Sequence, residues 1–178
     1  MRNRNIAIVD LETSGLNPKV HEILELGMVL VDQKTLEIID SMDVKIKPEH
    51  IETASAKALD VNGYSEEEWI NAIPLRQIMI SLTTKARGAI FCGQNVHFDI
   101  AFVREAFAKT GIQNNLDYHC LDLFTISYYS LRNTNLQYFN LKSVSEFLGT
   151  PVEPEPHCAF NGALSAYEVF KKLMELPR

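Results

Sequence analysis

Cysteine is scarce in this 178-residue chain: Cys92, Cys120 and Cys158 stand far apart, and none forms a Cys-x-x-Cys pair. Three scattered thiols give neither a disulfide framework nor a zinc-type ligand set, and they read as the reduced thiols of a cytoplasmic protein. Long hydrophobic runs are missing too. The opening "MRNRNIAIVDLE" holds only a short apolar run interrupted by acids, so it is expected to be neither a signal peptide nor a membrane anchor, and no membrane partner is expected. Positive charge is not in excess: 17 Lys and Arg face 23 Asp and Glu, a formal net charge of −6. That balance excludes binding of a polyanion by bulk charge and leaves only a local site, with metal ions offsetting its acids. Repeats, low-complexity tracts and long linkers are absent, and eight glycines and seven prolines are scattered as punctuation. With 46% hydrophobic and 22% charged residues, a single domain over 1–178 is expected.

What is present has a clear order. Ile6, Ala7, Ile8 and Val9 are apolar on both faces, the pattern of a central strand covered on both sides. "ILELGMVLVD" and "LEIIDSMDVKIKP", joined through Asp32, Gln33 and Lys34, read as an antiparallel hairpin beside it. Helical signals follow. Ser65 and Glu68 have capping-box spacing, and after Pro74 the residues Leu75, Ile78, Met79 and Leu82 keep a helical period. The strand "AIFCG" precedes a helix striped by Phe102, Val103, Ala106 and Phe107 and stopped at Gly111. A short strand near Cys120 and Leu121 comes next, then helices over 123–131, over 141–148 with a stop at Gly149, and over 159–174. Strands first as a three-strand meander and then alternating with helices imply an α/β fold, a mixed central sheet flanked by helices.

Three stretches carry residues suited to chemistry. Side chains alternate along a strand, so Asp10 and Glu12 project from one face at the end of the apolar run. Two carboxylates that close repel one another unless a cation lies between them, although acidic pairs also occur at plain solvated strand ends. In "GQNVHFDIAFV", Asp99 falls where a strand passes into a helix, a place for a site residue and equally for a helix N-cap. His157 follows Pro154 and Pro156 on a constrained loop entering the last helix. An imidazole can take a proton from water near neutral pH, though a lone histidine is as well explained as a surface residue.

Together, "DLETSGL" (10–16), "NVHFD" (95–99) and "HCAFNG" (157–162) resemble, in order and separation, the motifs of the DEDD-type 3′–5′ exonucleases with a catalytic histidine, of the ribonuclease H-like fold. The family includes the proofreading (epsilon) exonucleases of bacterial replicative DNA polymerases. The likeness spans nearly the whole chain: "HEILELGMVLVD" resembles the family's second strand, "ALDVNGYS" its loop near the substrate, and "LKSVSEFLG" the helix before the third motif. The resemblance implies hydrolysis of nucleoside monophosphates from a nucleic-acid 3′ end, single-stranded DNA ahead of RNA, with a DNA polymerase as a candidate partner. It implies Asp10, Glu12 and Asp99 as ligands of two Mg²⁺ or Mn²⁺ ions about 3.5–4 Å apart, and His157 as general base. Thr13, Gly15 and Leu16 are expected against the terminal nucleotide, with Leu16 as a wedge beside its base, and Asn95 and Phe98 also on the substrate. Phe98 and Phe102 share a helical face, which equally fits core packing.

One position departs from the family. Its third motif is a histidine followed five residues later by a metal-holding aspartate, and here that position is Gly162. Asn161 beside it offers a carbonyl oxygen without charge. Three carboxylates around two divalent ions leave one ion weakly held. Either another group serves, with Asn161, Glu153 and Glu155 nearby, or the chain is a weakened exonuclease or one that binds ends or a polymerase without cutting.

Overall fold

The computed structural model describes residues 4–155 and 157–176; the expectations for Pro156 and for the first three residues lie outside them. β1 (Ile6–Thr13) runs between β2 (Ile23–Val31) and, on its other side, β5 (Ile90–Gly93). β3 (Ile38–Lys47) continues the meander, the two-residue β4 (Ile73–Pro74) closes one edge, and β6 (Cys120–Asp122) closes the other, in the order β4-β3-β2-β1-β5-β6. β1, β2 and β3 pair antiparallel, whereas β5 is parallel to β1 and β6 to β5. The sheet is therefore mixed and β1 is central, as its apolar run implies. Every residue of β2 is buried.

Alternation along β1 divides the core. Ala7, Val9 and Leu11 pack with α2 (Leu75–Lys85) and α3 (His97–Thr110), while Ile6 and Ile8 pack with α4 (Leu123–Leu131), α5 (Leu141–Leu148) and α6 (Ala159–Met174). Helix ends follow their local signals. Gly111 and Gly149 close α3 and α5 with φ of 67° and 69°, and the Asp122 and Asn140 side chains accept amide hydrogen bonds as N-caps of α4 and α5.

Two local readings are corrected. Ser65 and Glu68 do form the cap hydrogen bond, Glu68 N to Ser65 Oγ at 3.2 Å, yet residues 66–71 make turns and no helix. Trp69 is drawn into the core there, its Nε1 donating to the Leu24 carbonyl at 3.1 Å, and Pro74 follows too soon for an amphipathic helix to extend. In turn, "ALDVNGYS" is largely helical: α1 (Ala56–Asn62) ends on Gly63 at φ 64°. Among the described residues no helix is long and apolar enough to cross a membrane, and the three cysteines are free.

Candidate active site

Asp10 and Glu12 emerge on the β1 face that carries Ile6 and Ile8, toward the N-terminus of α6. Asp99 joins them from α3, with its carboxylate near the Leu11 backbone and Glu12. Asn95 takes a left-handed backbone, φ 53°, which asparagine tolerates and which turns the chain sharply from β5 into α3. The Asp122 carboxylate accepts the Val96 amide at 3.2 Å and fixes this turn. Val96 is the N-cap residue, so Asp99 is no cap; it lies in the first turn of α3 and is only 3% exposed.

The third stretch comes from the loop 149–158. Glu25, buried opposite Glu12 on β2, accepts the Ala159 amide at 3.1 Å and pins the start of α6. Gly27 allows the close approach: a Cβ there would stand 2.0 Å from the Ala159 carbonyl oxygen. Just ahead of this anchor, His157 Nδ1 lies 3.1 Å from Glu153 Oε2, and Glu153 Oε1 accepts the Cys158 amide at 3.3 Å.

Asp10, Glu12, Asp99, Glu153 and His157 thus line one open cavity of about 630 Å³, together with Asn95 and Phe98. Its lining also includes Gln94, whose amide donates to the Phe139 carbonyl at 3.0 Å, and Leu141 at the start of α5. Next to it is an apolar cleft of about 320 Å³, lined by Thr13, Gly15, Leu16, Ala58, Val61 and Phe98. Leu11, Glu12 and Phe98 belong to both. The loop bearing Leu16 is rigidly tied. Thr13 Oγ1 donates to the Gly15 carbonyl at 2.8 Å, and a Cβ on Gly15 would collide with the His21 ring at 2.5 Å. The Thr13 hydroxyl is thereby committed within the loop, whereas Leu16 stands 83% exposed.

The shared helical face of Phe98 and Phe102 divides in the fold. Phe102 is buried in the core, and Phe98 stacks on it at 5.0 Å while facing both cavities.

Electrostatics mark the acidic cavity. Burial pushes Glu12 to about 7, partly offset by His157, and burial likewise pushes Asp99 to about 7. Asp10 is raised well above the usual carboxylate range by burial and then by repulsion from Asp99, Glu12 and Glu153. The lining holds four carboxylates and neither Lys nor Arg. Such an oxygen-rich, uncompensated set fits a hard divalent cation, with the imidazole at its edge.

The sequence over residues 7–170 matches the model of the exonuclease family RNase_T. The chain belongs to that family. RNase_T relatives include a PolC-type DNA polymerase III of Caldanaerobacter subterraneus subsp. tengcongensis, 25% identical over 169 residues, 94% of this chain and 11% of the relative. Another is the 3′–5′ exonuclease DinG of Bacillus subtilis, 26% identical over 182 residues, 99% of this chain and 19% of the relative. The chain therefore spans less than a fifth of the length of either protein. Among solved structures, the nuclease domain of 3′hExo, a DEDDh family member bound to rAMP, superposes with a TM-score of 0.74 at 20% identity, covering 98% of this chain and 93% of that one. This RNase_T domain thus has the ribonuclease H-like fold of the DEDDh 3′-exonucleases, as its motifs imply.

Three features of the site were not legible as such. Glu25 reads as one more residue of an apolar strand, and its capping of α6 depends on a contact 134 residues away. Gln94 and Leu141 lie within "GQNVHFDIAFV" and "LKSVSEFLG", but nothing in those stretches marks them as cavity-lining residues. Of the three groups considered near the missing aspartate, only Glu153 lines the cavity; Asn161 and Glu155 do not.

Proposed function

We propose that the protein is a divalent-metal-dependent 3′–5′ exonuclease that releases nucleoside monophosphates from single-stranded DNA. The observation that carries this is the convergence of Asp10, Glu12, Asp99 and His157, from three separate stretches, on one acidic cavity beside an apolar cleft. When bound, Mg²⁺ or Mn²⁺ on the carboxylates would supply charge stabilisation for the attacking and leaving oxygens of an in-line displacement at phosphorus.

The chain's own groups do the rest. Asp10, Glu12 and Asp99 would hold the cations next to the scissile phosphate. His157, with Nδ1 against Glu153, carries its proton on that nitrogen and leaves Nε2 free to accept one from the attacking water. Leu16, Val61, Ala58 and Phe98 offer an apolar slot for the terminal base, whose sugar-phosphate then leads toward Glu12. With a net charge of −6, grip on the backbone comes from this local site.

The RNase_T relatives named for a DNA polymerase and for 3′–5′ exonuclease activity support DNA; the rAMP-bound neighbour favours RNA as the second reading. The likeness to PolC makes a DNA polymerase the partner to test by gel filtration of a mixture. The deciding experiment is degradation of 5′-labelled single-stranded DNA and RNA of one sequence with Mg²⁺ or Mn²⁺. A ladder shortening from the 3′ end, faster on DNA and absent in Asp10→Asn, is expected. Tight end binding without shortening would overturn the enzyme reading in favour of a binding module.

A further inference from the structure

We propose that Glu153 is the fourth metal-ligating carboxylate of this site, delivered by the loop before α6 in place of a side chain on α6 itself. The assignment rests on the exonuclease reading above.

Two observations meet here. The first is that the space a side chain at position 162 would take is filled by the Asp10 carboxylate. Gly162 packs directly on Asp10: a Cβ added there would lie 2.2 Å from Asp10 Oδ2 and 2.8 Å from its Cγ. In this arrangement α6 contributes no carboxylate of its own, and a side chain at 162 would require Asp10 to turn aside.

The second is the placement of Glu153. One oxygen of Glu153, one of Glu12 and one nitrogen of His157 all lie within 4.8 Å of one another. That spread is compatible with ligands about one hard cation after small side-chain adjustments. The Glu153 side chain is 13% exposed, far less than His157 at 47%, and its Oε1 is tethered by the Cys158 amide. Its charge reaches the rest of the site, since it raises both Asp10 and Glu12. A glutamate is one methylene longer than an aspartate, which suits a ligand reaching in from a loop.

In this assignment Glu153 serves a cation as well as its present partners, His157 and the Cys158 amide. A residue acting only through His157 would orient the imidazole and leave cation affinity untouched. Glu155, two residues before His157 on the same loop, is exposed and lines no part of the cavity.

The test is Mn²⁺ binding to the purified protein without nucleic acid, followed by electron paramagnetic resonance of free Mn²⁺. Glu153→Gln is expected to lose on the order of ten-fold or more in affinity at one site, because ligand charge sets cation affinity. Glu153→Asp is expected to recover part of the loss, and Glu155→Gln to match the parent. In a His157→Gln background, Glu153→Gln is expected to cost the same factor again. Unchanged Mn²⁺ affinity in Glu153→Gln, with binding lost in Asp10→Asn, would overturn the Glu153 assignment and leave the exonuclease reading standing. A loss that vanishes in the His157→Gln background would assign Glu153 to positioning alone and overturn it equally. Absence of Mn²⁺ binding by the parent protein would remove the metal-dependent reading on which the assignment rests.

Discussion

The acidic cavity is held together in two different ways. Asp10 and Glu12 stand on the central strand and Asp99 in the first turn of α3, where the sheet and core fix their positions. Glu153 and His157 stand on the loop between α5 and α6, anchored at its end by Glu25 on the Ala159 amide. The scaffold half is buried enough to push its carboxylates upward, and the loop half keeps His157 half exposed. The difference teaches a division of labour. On the proposed reading, three of the cation-holding carboxylates come from rigid elements, while the fourth and the general base come from the loop.

The contrast can be broken experimentally, beginning on the scaffold side. Asp10→Asn is expected to reduce exonuclease rate by on the order of 10³-fold or more, since it removes several kcal/mol of cation-mediated stabilisation. Single-turnover degradation measures it, and a loss under ten-fold would remove Asp10 from the metal site. His157→Gln, on the loop side, is expected to cost about 10²–10³-fold. If it proved costlier than Asp10→Asn, the ranking of the two halves would be reversed.

The third expectation concerns stability and sharpens the burial argument. Asp99 and Glu12 each sit near 7 in the folded protein, raised from 3.8 and 4.5. A raised carboxylate contributes stability fully below its unfolded value and loses it as pH climbs through the folded one. Metal-free protein should therefore lose stability between about pH 4 and 7 and change little above. Asp99→Asn removes part of that loss. At pH 8 it should be on the order of 2 kcal/mol more stable than the parent, roughly 4–8 °C in melting temperature, and at pH 4 no more stable. Thermal melts with a chelator at both pH values check this. Parallel pH curves for the two proteins would show that Asp99 is not strained by burial.

The smallest expected effect lies in the apolar cleft. Leu16→Ala should raise KM about five-fold, with kcat and melting temperature little changed, because an 83% exposed side chain gains its contacts only when a base covers it. A fall in kcat with KM unchanged would place Leu16 outside ground-state binding.

How much was legible follows the range of the interactions. α4 and α5 are capped by local groups, with Asp122, Asn140 and Gly149 acting within a turn of the chain, whereas the start of α6 is held by the distant Glu25. The site's order along the chain was legible for a similar reason, since alternation on β1 forces Asp10 and Glu12 to one face. Ser65 and Glu68 failed as a helix signal because Trp69, the residue after Glu68, is claimed by the Leu24 carbonyl. The split between Phe98 and Phe102 is likewise invisible to a helical period, which gives both the same face.

By itself, then, the sequence determined the order of the main strands and helices, the helix stops at Gly111 and Gly149, the carboxylates and histidine of the three motifs, and the absence of an aspartate at position 162. Only the tertiary structure decided that Gly162 is filled by Asp10, that Glu153 and not Asn161 or Glu155 enters the cavity, and that Glu25 anchors the loop carrying both Glu153 and His157. These depend on how closely α6 crosses β1 and β2, a distance set by packing between segments more than a hundred residues apart, which no local pattern encodes.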